Sequence, residues 1–408
     1  MINEKFKRLQ FRKQKTTTRP PPVRTIFMKT LKDFNFKGKR VLLRCDFNVP
    51  LNEKGNILDD FRIRQAIPSI EYLIKKGGKI LLISHLGRPE GKFVKKFSLR
   101  PVALRLRKLL KRKIRFLEDC IGERVEKEAA ELRSSSRKRD GRRNLFLRPS
   151  PALADARAIK ETKIGEVVLL ENLRFYKEEQ ENDQDFAKAL SRLGDIFIND
   201  AFSVCHRSHA SVVGITKYLP SGAGLLLKKE IRVLSQVIEN PKRPLVVVIG
   251  GKKVEDKAKV VEKFSKMADF VLTGGLVAEE IKKGKIKIKS PQKVFFPVDE
   301  KNGLDIGQKT IKIFKEKIQK AKTIFWAGPL GKIEEKKYQK GTKAIARAIS
   351  QSDAFSVVGG GDTVEFINRI NHAEKFNHVS IGGGAMLEFL AGEKLPGLEA
   401  LRYEDKKS

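Results

Sequence analysis

The chain has 408 residues, 40% of them apolar and 33% charged, which excludes wholesale disorder and supplies more core than one domain holds, since single cores stop growing near roughly 250–300 residues. Lysine and arginine number 86 against 49 acids, a formal charge of +37, so the expected partner is anionic: nucleic acid, a membrane surface, or small phosphorylated ligands. Three cysteines, Cys45, Cys120 and Cys205, without a CxxC pair argue against a disulfide or zinc framework and for a reducing compartment, and no apolar run has the length of a membrane span or the form of a secretory core.

In chain order, residues 1–27 carry eight basic side chains against Glu4, with a threonine run and Pro20-Pro21-Pro22, and read as a disordered basic extension. Strand-like runs follow: Val41 to Arg44 before Cys45-Asp46-Phe47-Asn48, Ile80 to Ile83 before Ser84-His85-Leu86-Gly87-Arg88, Val167 to Leu170 before Glu171-Asn172-Leu173-Arg174, and Ile196 to Ile198 before Asn199-Asp200. Between the second and third lies Arg133 to Arg148, with seven basic residues against Asp140, which reads as a solvated loop insertion. The second half repeats the alternation with glycine endings: Leu245 to Ile249 before Gly250-Gly251, Phe270 to Leu272 before Thr273-Gly274-Gly275, Thr323 to Trp326 before Ala327-Gly328-Pro329, Phe355 to Val358 before Gly359-Gly360-Gly361, and Val379 to Ile381 before Gly382-Gly383-Gly384. Short apolar runs alternating with segments of helical period indicate βαβ units and parallel sheets, hence an α/β fold of two similar sheets.

Ligands of open parallel sheets bind beyond the carboxyl ends of the strands, so these endings describe two ligand surfaces. Arg44, Arg62, Arg88, Arg174 and Arg207 fall at or near the first set; converging guanidinium forks would hold a small ligand with two anionic ends, whereas singly each reads as a surface charge. Gly359-Gly360-Gly361-Asp362-Thr363 precedes a helix-like segment from Thr363 to Arg369, a pattern that offers backbone N–H groups and a helix start to phosphates and a carboxylate to Mg²⁺, or simply a tight turn. Lys253 and Lys257, four apart, share one helix face, toward the crevice or toward solvent. Gly328-Pro329-Leu330-Gly331-Lys332 has the wrong spacing for a P-loop, and Asp46-Phe47-Asn48 lacks the partners of a protein-kinase DFG. His206, His209 and Cys205 have no oriented third group for a metal site or a nucleophile and read as hydrogen-bonding or core residues.

Taken together, KGKRVLLRCDFNVPL (Lys37 to Leu51), ISHLGRPEG (Ile83 to Gly91), VLLENLRFY (Val168 to Tyr176), INDAFSVCHRSHAS (Ile198 to Ser211), GGKKVEDK (Gly250 to Lys257), GGGDT (Gly359 to Thr363) and SIGGGAMLEFL (Ser380 to Leu390) resemble the phosphoglycerate kinase family, from about Met28 to Tyr403. The resemblance implies two Rossmann-like domains, each a parallel sheet flanked by helices, joined by an interdomain helix and hinge. They would span 28–220, with the insertion 133–148, and 241–394, with the helix at 221–240 and a segment 395–408 packing back on the first domain. It implies a cytoplasmic, monomeric kinase exchanging a phosphoryl group between 1,3-bisphosphoglycerate plus MgADP and 3-phosphoglycerate plus MgATP. The triose would meet Asp46, Asn48, Arg62, His85, Arg88, Arg174 and Arg207. The nucleotide would meet Gly251, Lys253, Lys257, Gly274, Gly275, Gly328, Pro329, Glu334, Gly360, Gly361, Asp362 and Thr363, with Glu334 on the ribose and Asp362 on Mg²⁺. Arg62, Lys253, Lys257, Gly360 and Gly361 would surround the transferred group.

Three positions depart from the family pattern: Ala327 for the usual Asn, Lys252 for a small residue and Ile381 for Thr. Residues 1–27 precede the family's usual start and are an upstream-start artefact, a real tail or a targeting peptide. The alternative is an inactive relative acting as a basic nucleic-acid-binding or scaffold protein, reaching nucleic acid through the two basic appendages.

Overall fold

In a computed structural model, residues 28–121, 159, 161–286 and 288–402 are described. The basic extension 1–27, the insertion 133–148 and the last residues of the closing segment lie outside them.

The first half contributes strands Arg40–Arg44 (β1), Lys79–Ile83 (β2), Ile114–Phe116 (β3), Val167–Leu169 (β4), Ile196–Asn199 (β5) and Ser221–Ala223 (β6), all parallel, in the order β3-β4-β2-β1-β5-β6. Helices Phe61–Lys75 (α1), Arg100–Leu110 (α2), Lys177–Glu181 (α3) and Gln184–Ser191 (α4) flank it. The Val, Ile and Leu side chains of β1, β2, β4 and β5 are buried on both faces, which is why these strands read as continuous apolar runs rather than alternating ones.

Helix Leu225–Glu239 (α5) leads to the second half. The expected start near Ser221 is too early. Ser221–Ala223 is the edge strand β6, and α5 begins at Leu225, where Asp200 Oδ1 accepts from the amides of Leu226 and Leu227 at 2.8 and 3.2 Å. Three small residues carry no apolar run by which a strand is read, and the cap comes from a residue distant in sequence.

The second sheet holds Leu245–Ile249 (β7), Phe270–Thr273 (β8), Val294–Phe295 (β9), Thr323–Ala327 (β12), Phe355–Gly359 (β13) and His378–Val379 (β14), all parallel. A small hairpin, Glu300–Lys301 (β10) with Asp305–Ile306 (β11), lies outside it. Helices are Val254–Met267 (α6), Gly275–Lys282 (α7), Gln308–Lys320 (α8), Lys340–Ser350 (α9), Gly361–Arg369 (α10), Gly384–Ala391 (α11) and Pro396–Glu399 (α12). The order β14-β13-β12-β7-β8-β9 is the doubly wound arrangement in which the chain reverses direction between β7 and β12.

One apolar cluster joins the lobes: Phe202, Cys205 and Ala223 from the first, Leu227 and Leu234 from α5, Val247 and Phe325 from the second, and Leu395, Leu398 and Leu401 from the closing segment. Among the described residues, no helix is long and apolar enough to cross a membrane.

Candidate active site

At the carboxyl edge of the first sheet the strand order reverses between β1 and β5, and the loops after β1, β2, β4 and β5 converge there. Asp46, after β1, is buried; it accepts from the Arg62 guanidinium, from Ser203 Oγ at 2.5 Å and from the Asn48 amide at 3.0 Å. Arg62 itself stands in the first turn of α1 rather than at a strand end. Asn48 Oδ1 accepts from the Gly87 amide at 2.9 Å, and Arg174 Nη1 donates to the Gly87 carbonyl at 2.9 Å, which ties three loops together. Arg174 Nε is buried with no partner, an orphan donor of the kind an anionic ligand would satisfy. Burial, with Arg44 beside it, pulls the Arg174 guanidinium down to about 10. Arg88 and Arg207 are exposed.

Arg44 is no ligand candidate. It is wholly buried, donating to Ser211 Oγ at 3.0 Å and the Cys45 carbonyl at 2.6 Å, with Glu179 at 4.0 Å. Its Nη2 lies 3.1 Å from His85 Nδ1, and because a guanidinium only donates, Nδ1 is the unprotonated nitrogen of that ring. Burial and the neighbouring arginines push His85 well below the ordinary imidazole value, and burial with Arg207 beside it brings His206 down to about 4; burial with Arg174 nearby brings His209 to about 3. These rings are therefore neutral at pH 7.

At the second sheet, register places the ends of β8, β7, β12 and β13 side by side, with Thr273, Ile249, Ala327 and Gly359 level. Gly274-Gly275, Gly250-Gly251, Gly328-Pro329 and Gly360-Gly361 follow directly. Gly251, Gly328 and Gly360 have φ of +88, +92 and +91°, conformations that L side chains rarely adopt. Lys257, on α6, is buried, and its Nζ lies 2.8 Å from where a Gly251 Cβ would be and 3.1 Å from a Gly328 Cβ, so the ammonium fills the β7–β12 crevice. Burial lowers its pKa, opposed chiefly by Asp362. Lys253 stands at the N-cap of α6, one turn before Lys257.

Helix α10 starts at Gly361, two residues earlier than the sequence indicated, because Gly360 serves as its N-cap; Asp362 is exposed in its first turn. Thr363 turns inward, its Oγ1 accepting from the Gly328 amide at 2.8 Å and so joining α10 to the end of β12. Glu334 is exposed and paired with Lys252 Nζ at 2.7 Å, a contact between residues 82 apart that no sequence pattern announces.

Both edges face one cavity of about 350 Å³, with Asn48 and Arg62 on one wall and Gly361, Asp362 and Gly383 on the other. The remaining expected residues do not line it. Ser203, Asp59 and Asn368 were missed: Ser203 holds Asp46, and the other two line the cavity. The Ser203 role could have been suspected from its place between Asp200 and Arg207; nothing in the sequence singles out Asp59 or Asn368. Among the described residues no group of three or more histidine, cysteine, aspartate or glutamate side chains could cage a metal ion. The exposed Asp362 at a helix start does fit a magnesium ion brought in on phosphates, since that ion commonly takes only one or two protein carboxylates.

The family model described as Phosphoglycerate kinase matches residues 31–136, 150–291 and 277–393. A phosphoglycerate kinase of Borrelia garinii is 42% identical over 420 aligned positions, covering 92% of this chain and 99% of its own, and that of Coprothermobacter proteolyticus is 40% identical over 424, again covering 92% and 99%. Among solved structures, phosphoglycerate kinase from Pyrococcus horikoshii superposes with a TM-score of 0.76 at 33% identity and that from Coxiella burnetii with 0.72 at 32%, each covering 92% of this chain and 98% of the other.

Proposed function

The chain belongs to the phosphoglycerate kinase family, and from that membership we propose how its two lobes divide the reaction. The reaction is a reversible phosphoryl transfer of glycolysis with a carboxyl group as acceptor: 1,3-bisphosphoglycerate plus ADP exchange with 3-phosphoglycerate plus ATP. The fold and the comparisons lend no support to a scaffold or nucleic-acid-binding reading.

In our reading the first lobe takes the triose through Asp46, Asn48, Arg62, His85, Arg88, Arg174 and Arg207. The second takes the nucleotide on the backbone of Gly251, Gly274, Gly275, Gly328, Pro329, Gly360 and Gly361, with Lys253, Lys257, Thr363 and Glu334 around it. The observation that carries this division is the shared cavity, with a cation on one wall and a helix N-terminus on the other. Asp362 would hold magnesium, which when bound neutralises charge on the nucleotide phosphates.

Transfer needs no general base, because the acceptor is an ionised carboxylate in one direction and an ionised phosphate in the other. The neutral histidines agree with that. What remains is positioning and charge stabilisation by Arg62, Lys253, Lys257 and the Gly360 and Gly361 amides. Closure about α5 would press the lobes together and keep water from the acyl phosphate. A monomeric, cytoplasmic enzyme fits this reading.

The test is a coupled assay of ATP-dependent phosphorylation of 3-phosphoglycerate with and without Mg²⁺. Turnover that needs all three components supports the reading; a folded chain without turnover overturns it.

A further inference from the structure

Asp59 and Asn368 lie 309 residues apart, one in each lobe, and meet across the cleft. Asp59 Oδ1 accepts from the Phe61 amide at 2.6 Å, at the start of α1, and its Oδ2 accepts from Asn368 Nδ2 at 2.8 Å. The adjacent Asp60 is engaged otherwise, by Arg64 Nε at 2.8 Å and Arg105 Nε at 2.6 Å, so only Asp59 is turned toward the other lobe.

Both ends of this bond lead to the proposed chemistry. Arg62 follows Asp59 by three residues. Asn368 is the penultimate residue of α10, and at roughly 1.5 Å per residue the bond grips that helix about 10 Å from the amides at its N-terminus. Asp59 and Asn368 also line both the 350 Å³ cavity and a neighbouring groove of about 1140 Å³, so their bond stands on the partition between the two.

We infer that the Asp59–Asn368 hydrogen bond is a latch of the closed lobes, which sets Arg62 against the Gly361 amide and shuts the partition to water. The inference rests on the phosphoryl-transfer reading above and adds two positioning residues that act through Arg62 and the start of α10. A single hydrogen bond shifts an equilibrium by roughly five- to tenfold, enough to bias closure yet weak enough to release at every turnover.

A charge swap tests it. Asn368→Asp sets two carboxylates face to face. Adding Asp59→Asn restores a donor–acceptor pair, because the new amide oxygen still accepts from Phe61 while its NH₂ donates to the new carboxylate. In steady-state assays Asn368→Asp is expected to lower kcat about tenfold with KM for 3-phosphoglycerate and ATP within about twofold, and to raise the share of 1,3-bisphosphoglycerate lost to hydrolysis; the double variant should recover kcat to within about twofold. Undiminished turnover of Asn368→Asp, or a double variant as slow as the single, overturns the latch. Inactivity of the unmutated chain would instead overturn the underlying reading. Should Asn368→Asp melt early, Asn368→Ala takes its place, with the same kcat loss expected and no rescue by Asp59→Asn.

Discussion

Arg62 is the residue on which the proposed chemistry most depends. Its guanidinium is held by buried Asp46, which is itself held by Ser203, so its direction is fixed before any ligand arrives. Because its interaction is concentrated in the transition state, Arg62→Ala should lower kcat by at least about a hundredfold with a much smaller change in KM, measurable in the coupled assay; near-normal turnover would remove the assignment. Asp362 makes a different kind of claim. Asp362→Asn should weaken nucleotide binding in titration calorimetry only when Mg²⁺ is present, and equal weakening with and without the metal would show that its role is other. Arg44 shows how a residue-level reading goes astray: sequence position groups it with the ligand arginines, but its side chain is wholly buried, where Ser211 accepts a hydrogen bond from it and Glu179 balances its charge.

At the scale of elements, α5 owes its start to Asp200, whose carboxylate caps the amides of Leu226 and Leu227. Asp200→Ala should cost about 1–2 kcal/mol in urea denaturation through loss of that cap. Burial pushes the Asp200 carboxyl up to about 6 from 3.8. A folded-state pKa above the unfolded one means that the native form binds the extra proton, so this group's stabilising contribution is full below about 3.8 and lost as pH rises through about 6. Asp200→Asn keeps the accepting oxygen and removes the titration, so stability between pH 4 and 7 should fall less steeply in that variant than in the parent; an unchanged slope would show that Asp200 does not titrate there. The strands that carry the site were legible because full burial on two faces demands uninterrupted Val, Ile and Leu. β3, β6 and β9 were not, being short edge strands whose pairing rather than composition makes them strands. The same contrast governs the site: glycine and arginine endings announce themselves, whereas the Asp59–Asn368 bond joins polar residues that only the packing of the two lobes brings together.

For the whole molecule, the apolar cluster that runs from Phe202 through α5 to Leu398 makes the lobes one cooperative unit. Gly397 is the tight point of that seam: its amide donates to the Cys205 carbonyl at 2.8 Å, and a Cβ there would come 2.7 Å from Val212 Cγ1 and 2.9 Å from Cys205 Cα. Gly397→Val should unseat the closing segment, lower Tm by several degrees and split one calorimetric transition into two as the lobes uncouple; a single transition at the parental Tm would show that the seam is not tight there.

The linking helix has its hydrogen-bonded anchors gathered toward one end. Its first turn is bonded to Asp200 and Ser69 of the first lobe, and Glu230 accepts from His378 Nε2 at 3.0 Å and from the Ile381 amide at 2.9 Å in the second, while the remaining turns run on toward β7. Fifteen residues at roughly 1.5 Å each make a rod about 22 Å long. Pivoted near its start, such a rod works as a lever: a tilt of about ten degrees moves its far end, and the second-lobe core packed on Leu234 and Val237, by about 4 Å. A sub-ångström adjustment where the triose is bound could thus be delivered, enlarged, to β7, the strand that leads into Gly250-Gly251.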